Sequence, residues 1–360
     1  MLSHLCISNL RNLTNIEFEP GAQFNLIVGP NGCGKTSVLE AIHLLGLGRS
    51  FRSHKHSSLI QYNSPGYMVH AIIAGHYRIG VEKKPQTKPR VRINGENQES
   101  AVELAQLLPL RLVDPQSFAL LNEGPKARRR FLDWMVFHVE HAFYRHWREA
   151  QQIIQQRNAA LKARLPLGEC CIWDNSLAHV SNEINSMRSR CLEEFIPIAN
   201  LLLGKLADFT VEIEYCCGWP EATGLRAALE SSRGRDAYLG YTQYGPHRSD
   251  LKIRVNNHPA EEFLSRGQQK LLILALYLAQ GSLLKRTRQK ECLYLIDDLT
   301  AELDPENREK ALEVLATMGA QVFITSVDLS SIAESPVLKS ADVFHVEQLW
   351  RNSKVTGIES

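Results

Sequence analysis

The chain has 360 residues, and its composition excludes several classes of protein. Apolar residues make up 44% and charged residues 22%, which excludes a disordered chain, a collagen and a coiled-coil rod. Lysines and arginines number 41 against 39 aspartates and glutamates, so the net charge is only +2 and a polyanionic partner must be held by a local basic patch.

Neither a membrane span nor a leader peptide is expected. The longest apolar run, 271–279, is far shorter than the ~18 residues that a span requires, and Arg11 and Glu17 interrupt the N-terminal segment. The eight cysteines occur singly or as adjacent pairs and never as Cys-x-x-Cys, which favours a reducing compartment and disfavours a zinc site. We therefore expect a cytoplasmic protein without a membrane partner.

Short strand-like runs surround one helix in the N-terminal part of the chain. Residues 24–28 predict a buried strand, and residues 35–45 predict the helix after it, with apolar side chains on one face. Two more strands are predicted over 67–73 and 77–81, and Asn94-Gly95 predicts a hairpin turn because both of its positions favour positive φ.

The periodicity becomes helical in the middle of the chain. One apolar stripe at three- and four-residue steps runs from Leu132 to Leu161, and a second runs from Trp173 to Leu202. Pro166 separates them, which predicts an antiparallel helical hairpin. One helix pair inside a larger bundle would give the same local pattern.

Strand-like segments return near the C-terminus, over 251–255, 292–296, 321–325 and 343–346. The helical middle is therefore interpreted as an insertion that splits one α/β domain. We predict a discontinuous head domain over 1–110 and 236–360, and a helical lid domain over 111–235.

A phosphate-binding loop is predicted at Gly29-Pro30-Asn31-Gly32-Cys33-Gly34-Lys35-Thr36, which fits the pattern G-x-x-x-x-G-K-[ST] between a strand and a helix. The glycines allow backbone N–H groups to point at a phosphate chain, and the helix N-terminus adds positive potential. Lys35 is expected to reach the β and γ phosphates, and the Thr36 hydroxyl to ligate Mg²⁺. With Ser37, this segment predicts an ATP site; the alternative is a chance glycine-rich turn.

Two acids follow the apolar strand over 293–296. Asp297 is placed to hold the hydration shell of Mg²⁺, and Asp298 to orient or deprotonate the attacking water. A strand that ends in Asp-Asp is also an ordinary turn, so the phosphate loop in the same chain is what makes this motif a candidate catalytic element.

A third motif, Ser265-Arg266-Gly267-Gln268, precedes an apolar helical run. Ser265 is a good N-cap residue, so one interpretation is simply a capped helix. The other is that Ser265, Gly267 and Gln268 present donors to a phosphate at the helix start.

Together these motifs resemble the RecF family of recombination proteins, relatives of the SMC heads, along nearly the whole chain. The segments that carry the resemblance are 24–41, 48–52, 124–133, 245–250, 265–270 and 297–304. The phosphate loop is shared by many NTPases, whereas the arginines before Phe131 and the Gly-Pro-His-Arg sequence from Gly245 are much narrower signals. The role of the segment 245–250 stays open.

The resemblance implies an α/β ATPase head of the ATP-binding-cassette, SMC-like type with an inserted helical lid. Such heads dimerise by sandwiching two ATP molecules, with Ser265, Gly267 and Gln268 meeting the γ-phosphate bound by the opposite subunit. It further implies ATP-dependent binding to single-stranded and duplex DNA at gap junctions, joint action with RecR and RecO to load RecA, and SOS induction.

Three positions refine the expected activity. Asp298 replaces the glutamate of fast ATP-binding-cassette motors, so we expect a weak, Mg-dependent, DNA-stimulated ATPase that acts as a switch and releases DNA on slow hydrolysis. Ser326 stands where transporters use histidine to sense the γ-phosphate. Gln116 follows the point where the chain leaves the head, and it is a candidate contact to Mg²⁺ or its water.

DNA contacts are predicted in three basic clusters, which would neutralise phosphates and make binding salt-dependent. Their members are Arg49, Arg52 and Lys55; Arg78, Lys83, Lys84, Lys88, Arg90 and Arg92; and Lys126, Arg128, Arg129 and Arg130. Each cluster is equally compatible with a solvated charged face.

The alternative function is the ATPase subunit of a membrane transporter. The long helical insertion between Lys35 and Ser265 and the absence of histidine at position 326 count against it.

Overall fold

The structure is a computed structural model that describes residues 1–299, 303–327 and 335–346. Positions 300–302 of the segment 297–304 lie outside the described residues.

The strands are β1 Leu2–Leu10, β2 Leu13–Phe18, β3 Phe24–Val28, β4 Tyr67–Ile73, β5 Tyr77–Lys83, β6 Arg90–Ile93, β7 Glu96–Gln98, β8 Leu110–Val113, β9 Glu212–Cys216, β10 Asp250–Val255, β11 His258–Pro259, β12 Leu293–Ile296, β13 Val322–Ser326 and β14 Asp342–His345. The helices are α1 Lys35–Leu47, α2 Val102–Leu107, α3 Ala119–Asn122, α4 Pro125–Val139, α5 Phe143–Lys162, α6 Leu167–Cys170, α7 Asp174–Leu206, α8 Gly224–Leu239, α9 Ala260–Phe263, α10 Arg266–Arg288 and α11 Pro305–Met318.

The first compact unit comprises residues 1–117 and the described residues from 289 onward, and it holds two sheets. One is antiparallel, with the order β2-β1-β4-β5-β6-β7, and the other is parallel, with the order β14-β3-β13-β12-β8. Helix α1 packs against strands of both sheets and is almost wholly buried. Strands β3, β12 and β13 are buried on both faces, as apolar runs of a parallel sheet require.

The second unit, residues 118–288, is mainly helical and carries a three-stranded sheet in the order β11-β10-β9. Helices α4, α5 and α10 all pack against the long helix α7. Within the described ranges, no helix combines the length and the apolar character needed to cross a membrane.

The predicted α/β class and most of the predicted elements are confirmed. The expected strands over 24–28 and 67–73 are present, and Asn94 and Gly95, with φ of 50° and 87°, form the turn between β6 and β7. The antiparallel hairpin is α5 and α7. The first apolar stripe is two helices and not one, because the chain leaves the helix at Glu140 (φ −108°, ψ 107°) and begins α5 at Phe143.

The compact units divide the chain at positions that differ from the predicted domain boundaries. Residues 236–288 cluster with the helices of the second unit, whereas the sequence pattern predicts that they belong to the head. The physical reason is that α10 lies along α7, so its apolar side chains are buried in the helical unit. Apolar periodicity predicts that α10 has a buried face but does not identify the partner that covers it.

A buried ionic network holds the second unit together around Arg157. Its guanidinium is only 1% exposed and donates to the carboxylates of Asp174 at 3.0 Å and Asp236 at 2.7 Å, which are 5% and 0% exposed. We expect Arg157→Met to lower the free energy of unfolding by ~3–5 kcal/mol, because the carboxylate of Asp236 would then stay buried without a cation, and Asp174 would keep only its ion pair with the partly exposed Arg233 at 3.3 Å. Urea unfolding followed by circular dichroism measures this loss.

The matched control is Arg190→Met, which removes an arginine whose side chain is 58% exposed and pairs with Glu140 at 2.9 Å. Because solvent screens an exposed pair, that variant should lose less than about 1 kcal/mol. Equal losses in the two variants would show that the Arg157 network contributes no more than a surface ion pair.

Candidate nucleotide-binding site

The predicted phosphate loop joins β3 to α1. Gly34 precedes the first helical residue with φ of 117°, a conformation that residues with a Cβ rarely adopt. A Cβ added at Gly34 would lie 2.6 Å from Cδ2 of Leu13. Glycine is therefore required here both by the backbone conformation and by the close approach of the β1–β2 turn.

Lys35 is buried, and its ammonium lies inside the loop. Its Nζ donates to the carbonyl oxygens of Gly29 at 2.6 Å and Pro30 at 3.0 Å. A buried ammonium needs partners of this kind, and neutral carbonyls compensate its charge only in part. The donor set thus fits an anionic phosphate group, which would supply the missing negative charge.

Asp297 follows β12 and lies against the start of α1. The Thr36 hydroxyl donates to its carboxylate, at 3.1 Å from Oδ1 and 3.2 Å from Oδ2, and the Thr325 hydroxyl donates to Oδ1 at 2.7 Å. Because β3, β12 and β13 run parallel, the residues after them meet at one edge of the sheet. A hydroxyl beside a carboxylate offers the hard oxygen ligands that Mg²⁺ prefers, so the pair fits that ion.

Asp298 lines the same cleft as Lys35 and Thr36. Its backbone is in the left-handed region, with φ of 54°, and its N–H donates to Oγ1 of Thr325 at 2.8 Å. Few residues other than glycine adopt this conformation, and such residues cluster at functional sites. The tight turn keeps two consecutive acids at the edge of the sheet.

The cleft has a volume of about 740 Å³, and several of its residues were not predicted as site residues from the sequence. Arg11 and Asn12 form the turn between β1 and β2 and line the cleft. The amide of Asn12 donates to the carbonyl of Gly32 at 3.0 Å, and its oxygen accepts from the Ser37 hydroxyl at 3.0 Å. Asn12 thus braces the phosphate loop, and no motif signals this because the contact depends on strand pairing.

A buried carboxylate, Glu40 of α1, positions basic side chains beside the cleft. Arg11 donates to it through Nε at 3.0 Å and Nη2 at 2.9 Å, and the Ser50 hydroxyl also donates to it. Nη1 of Arg52 lies 3.9 Å from the same carboxylate. Arg52 also lines the nucleotide cleft, although the sequence predicts it as a DNA contact.

Gln116 lies in a short 3₁₀ turn, exposed beside Pro115, which lines the cleft. The neighbouring Asp114 is buried, and burial raises the pKa of its carboxyl group, as does the nearby charge of Asp297. The Ser117 hydroxyl donates to Asp114 at 2.9 Å and fixes the turn. A role for Gln116 at the metal stays a prediction.

Ser265 immediately precedes α10 in the second unit, and it forms a two-way N-terminal cap with Gln268. Its N–H donates to Oε1 of Gln268 at 3.0 Å, and its Oγ accepts from the N–H of Gln268 at 3.3 Å. This is the N-cap geometry that the sequence predicts, and both residues are exposed. A role for Ser265, Gly267 and Gln268 at a phosphate stays a prediction.

The structure gives several predicted DNA residues internal partners. Lys83 is buried, and its ammonium donates to the carbonyls of Lys84 and Thr87. Arg128 forms a two-bond ion pair with Asp250, at 2.8 and 2.9 Å, and Arg129 donates to the carbonyl of Ser249 at 2.6 Å.

The segment 245–250 therefore acts as an acceptor for arginines of the helical unit. Arg49, Lys84 and Arg130 remain exposed. Their exposure could not be predicted, because charge runs in the sequence do not show which cations the fold pairs internally.

Comparison with known proteins agrees with this geometry. Residues 1–349 match the RecF/RecN/SMC N terminal domain family. The chain is 41% identical over 358 residues to the DNA replication and repair protein RecF of Pseudomonas syringae pv. syringae, with 96% of each protein covered. It is 41% identical over 351 residues to RecF of Vibrio campbellii, covering 96% of this chain and 98% of that protein.

Solved structures show the same likeness. The recombination mediator protein RecF-ATP in the RecFOR pathway superposes with a TM-score of 0.85 at 25% identity, covering 99% of this chain and 97% of that one. An SMC head bound to the C-winged helix domain of ScpA shares the fold alone, with a TM-score of 0.60 at 15% identity over 96% and 93% of the two chains. The chain belongs to the RecF family of DNA replication and repair proteins, within the RecF/RecN/SMC N-terminal domain family.

Proposed function

We propose that this chain is an ATP-dependent DNA-binding protein of recombinational repair and replication restart, whose ATP-induced dimer binds DNA at single-strand gaps. The observation that carries the proposal is the convergence of Lys35, Thr36, Asp297 and Asp298 on one cleft. Relatives that are 41% identical are DNA replication and repair proteins, which supports this choice over a transporter subunit.

The residues of the cleft would have separate roles in binding and hydrolysing the nucleotide. Lys35, held inside the loop, would compensate the charge of the β and γ phosphates. Thr36 and Asp297 would hold Mg²⁺, which when bound draws charge from the phosphate oxygens. Asp298 would orient the attacking water. Its side chain is one methylene shorter than glutamate, so hydrolysis is slow and serves as the release step.

The switch requires two copies of the chain. Ser265, Gly267 and Gln268 of one copy would meet the γ-phosphate bound by the other, since the exposed N-terminus of α10 carries backbone donors and positive potential. ATP binding would then close the dimer, and hydrolysis would open it. By family, RecR and RecO would join this dimer on DNA to load RecA.

DNA affinity measured against salt and nucleotide state tests the proposal. We expect gapped DNA to bind at least about tenfold more tightly with ATP than without it, and affinity to fall linearly on a log–log plot against salt. Lys84→Ala, which removes an exposed cation, should reduce the salt slope by about one.

Lys310→Ala is the control for charge, because Lys310 lies on α11 and pairs with Glu306 at 2.7 Å. Its salt slope should equal that of the wild type. Equal DNA affinity with and without ATP would contradict a nucleotide-controlled DNA clamp.

A further inference from the structure

A group of metal-ligating side chains lies on the antiparallel sheet of the first unit, outside the nucleotide cleft. In β1, His4 and Cys6 are two residues apart and thus point to the same face. Cys6 lies directly opposite Glu17 of β2 on one side and opposite His70 of β4 on the other. Strand register therefore brings together four residues that are far apart in sequence.

The ligand atoms of three of these residues converge. Nε2 of His4 lies 3.2 Å from Sγ of Cys6 and 3.2 Å from Oε1 of Glu17. One ligand atom from each residue lies within 4.8 Å of the other two. The ring of His70 stands beside them, with its centroid 6.4 Å from that of His4.

The contacts among His4, Cys6 and Glu17 differ from those of a catalytic proton relay. In a relay the thiol and the carboxylate bind opposite nitrogens of the imidazole, so that a proton enters at one and leaves at the other. Here both groups approach the same nitrogen, Nε2 of His4. Hydrogen bonds can pair these groups when no metal is bound, and a cation between the three atoms would replace those bonds with coordination by all three.

We propose that His4, Cys6 and Glu17 bind Zn²⁺. Thiolate, imidazole and carboxylate are the ligand types that Zn²⁺ takes, whereas Mg²⁺ takes oxygen. The two 3.2 Å separations are within about 0.4 Å of the ~3.4–3.6 Å edges of a tetrahedron with Zn–N and Zn–O bonds of about 2.1 Å and a Zn–S bond of about 2.3 Å. The absence of Cys-x-x-Cys led the sequence analysis to disfavour zinc, but cross-strand pairing assembles the ligands without that spacing.

Binding exchanges one proton for the metal. Burial and the carboxylate of Glu17 raise the pKa of the Cys6 thiol to about 11, so the thiol is protonated at neutral pH. On binding, the S–H bond breaks, the Zn–S bond forms and the proton passes to solvent. The other groups facing Cys6 are His4 and His70, and Arg92 lies farther along the row, opposite Gly80.

The test uses the full chain without nucleotide, titrated with Zn²⁺ against a chromogenic chelator and with Co²⁺ followed by absorption. We expect one ion per chain and, for Co²⁺, a thiolate-to-metal charge-transfer band. Cys6→Ser should abolish that band, and Glu17→Gln should weaken Zn²⁺ binding at least about tenfold. Glu17 is exposed, so its variant keeps the proposal testable if Cys6→Ser fails to fold.

Cys216→Ser is the matched control. Cys216 is also a partly exposed strand cysteine next to a carboxylate, with its Sγ 3.7 Å from Oε1 of Glu214. That variant should bind both ions like the wild type. If Cys6→Ser and Glu17→Gln also bind Zn²⁺ like the wild type, or if the Co²⁺ complex of the wild type lacks the charge-transfer band, the proposal is wrong.

Discussion

Lys35→Met should weaken ATP binding by about 100-fold or more, equivalent to a loss of about 2.7 kcal/mol. The substitution keeps the length of the buried side chain and removes the ammonium that lies inside the phosphate loop. Each hydrogen bond from a charged donor contributes roughly 1.5–3 kcal/mol, and the ammonium can give more than one to the phosphates. Titration with a fluorescent ATP analogue measures the change directly.

Lys310→Met provides the control, since it removes an ammonium from α11 at the surface of the same unit, where Lys310 pairs with Glu306. Its affinity for ATP should stay within about twofold of the wild type, because solvent screens an exposed charge. Thermal melts without nucleotide check that Lys35→Met is folded. A folded Lys35→Met chain that binds ATP as tightly as the wild type would remove the loop from the proposed nucleotide site.

Ser265→Arg should raise the dissociation constant of the ATP-dependent dimer by about 100-fold or more. The proposed sandwich places the start of α10 against the triphosphate of the second copy, and a long side chain there would hold the two subunits apart. The substitution also removes the N-cap, which costs roughly 0.5–2 kcal/mol of stability by itself. Sedimentation velocity with and without ATP reports dimer formation.

Two further variants separate the cap from the contact. Ser265→Asp retains a good N-cap side chain but places a carboxylate where the phosphate would lie, so the dimer should weaken at least about tenfold while α10 stays capped. Ser265→Ala loses the cap and the hydroxyl but adds no charge or bulk, so it should affect dimerisation less than Ser265→Asp. Normal ATP-dependent dimers of both Ser265→Arg and Ser265→Asp would falsify the sandwich, while leaving ATP binding at Lys35 untouched.

Those parts of the nucleotide site that depend on contiguous residues or on parallel strands could be predicted from the sequence. A phosphate loop is contiguous, so its glycines, Lys35 and Thr36 are recognised by spacing alone, and the strand and helix around it follow from apolar periodicity. The meeting of Asp297 with Thr36 also follows, because parallel strands bring their C-terminal ends to one edge of the sheet.

The residues that brace the cleft lie outside the contiguous phosphate-loop motif. Asn12 contacts the loop only because the β1–β2 turn lies against it, and Arg11 is held by the buried Glu40 of α1. The DNA contacts predicted from the basic clusters stay predictions for a related reason. A run of cations has the same composition whether it faces solvent or pairs inside the fold, and Arg128 pairs with Asp250, which is distant in sequence.

The α/β class, the helical insertion, the family resemblance and the residues of the phosphate loop could be predicted from the sequence, since each depends on neighbouring residues or on a regular period. The folded structure was needed to show which helices share a core, which arginines are internal, and that His4, Cys6 and Glu17 converge. The physical reason is that burial, ion pairing and strand register depend on contacts between distant segments, which a linear pattern does not specify.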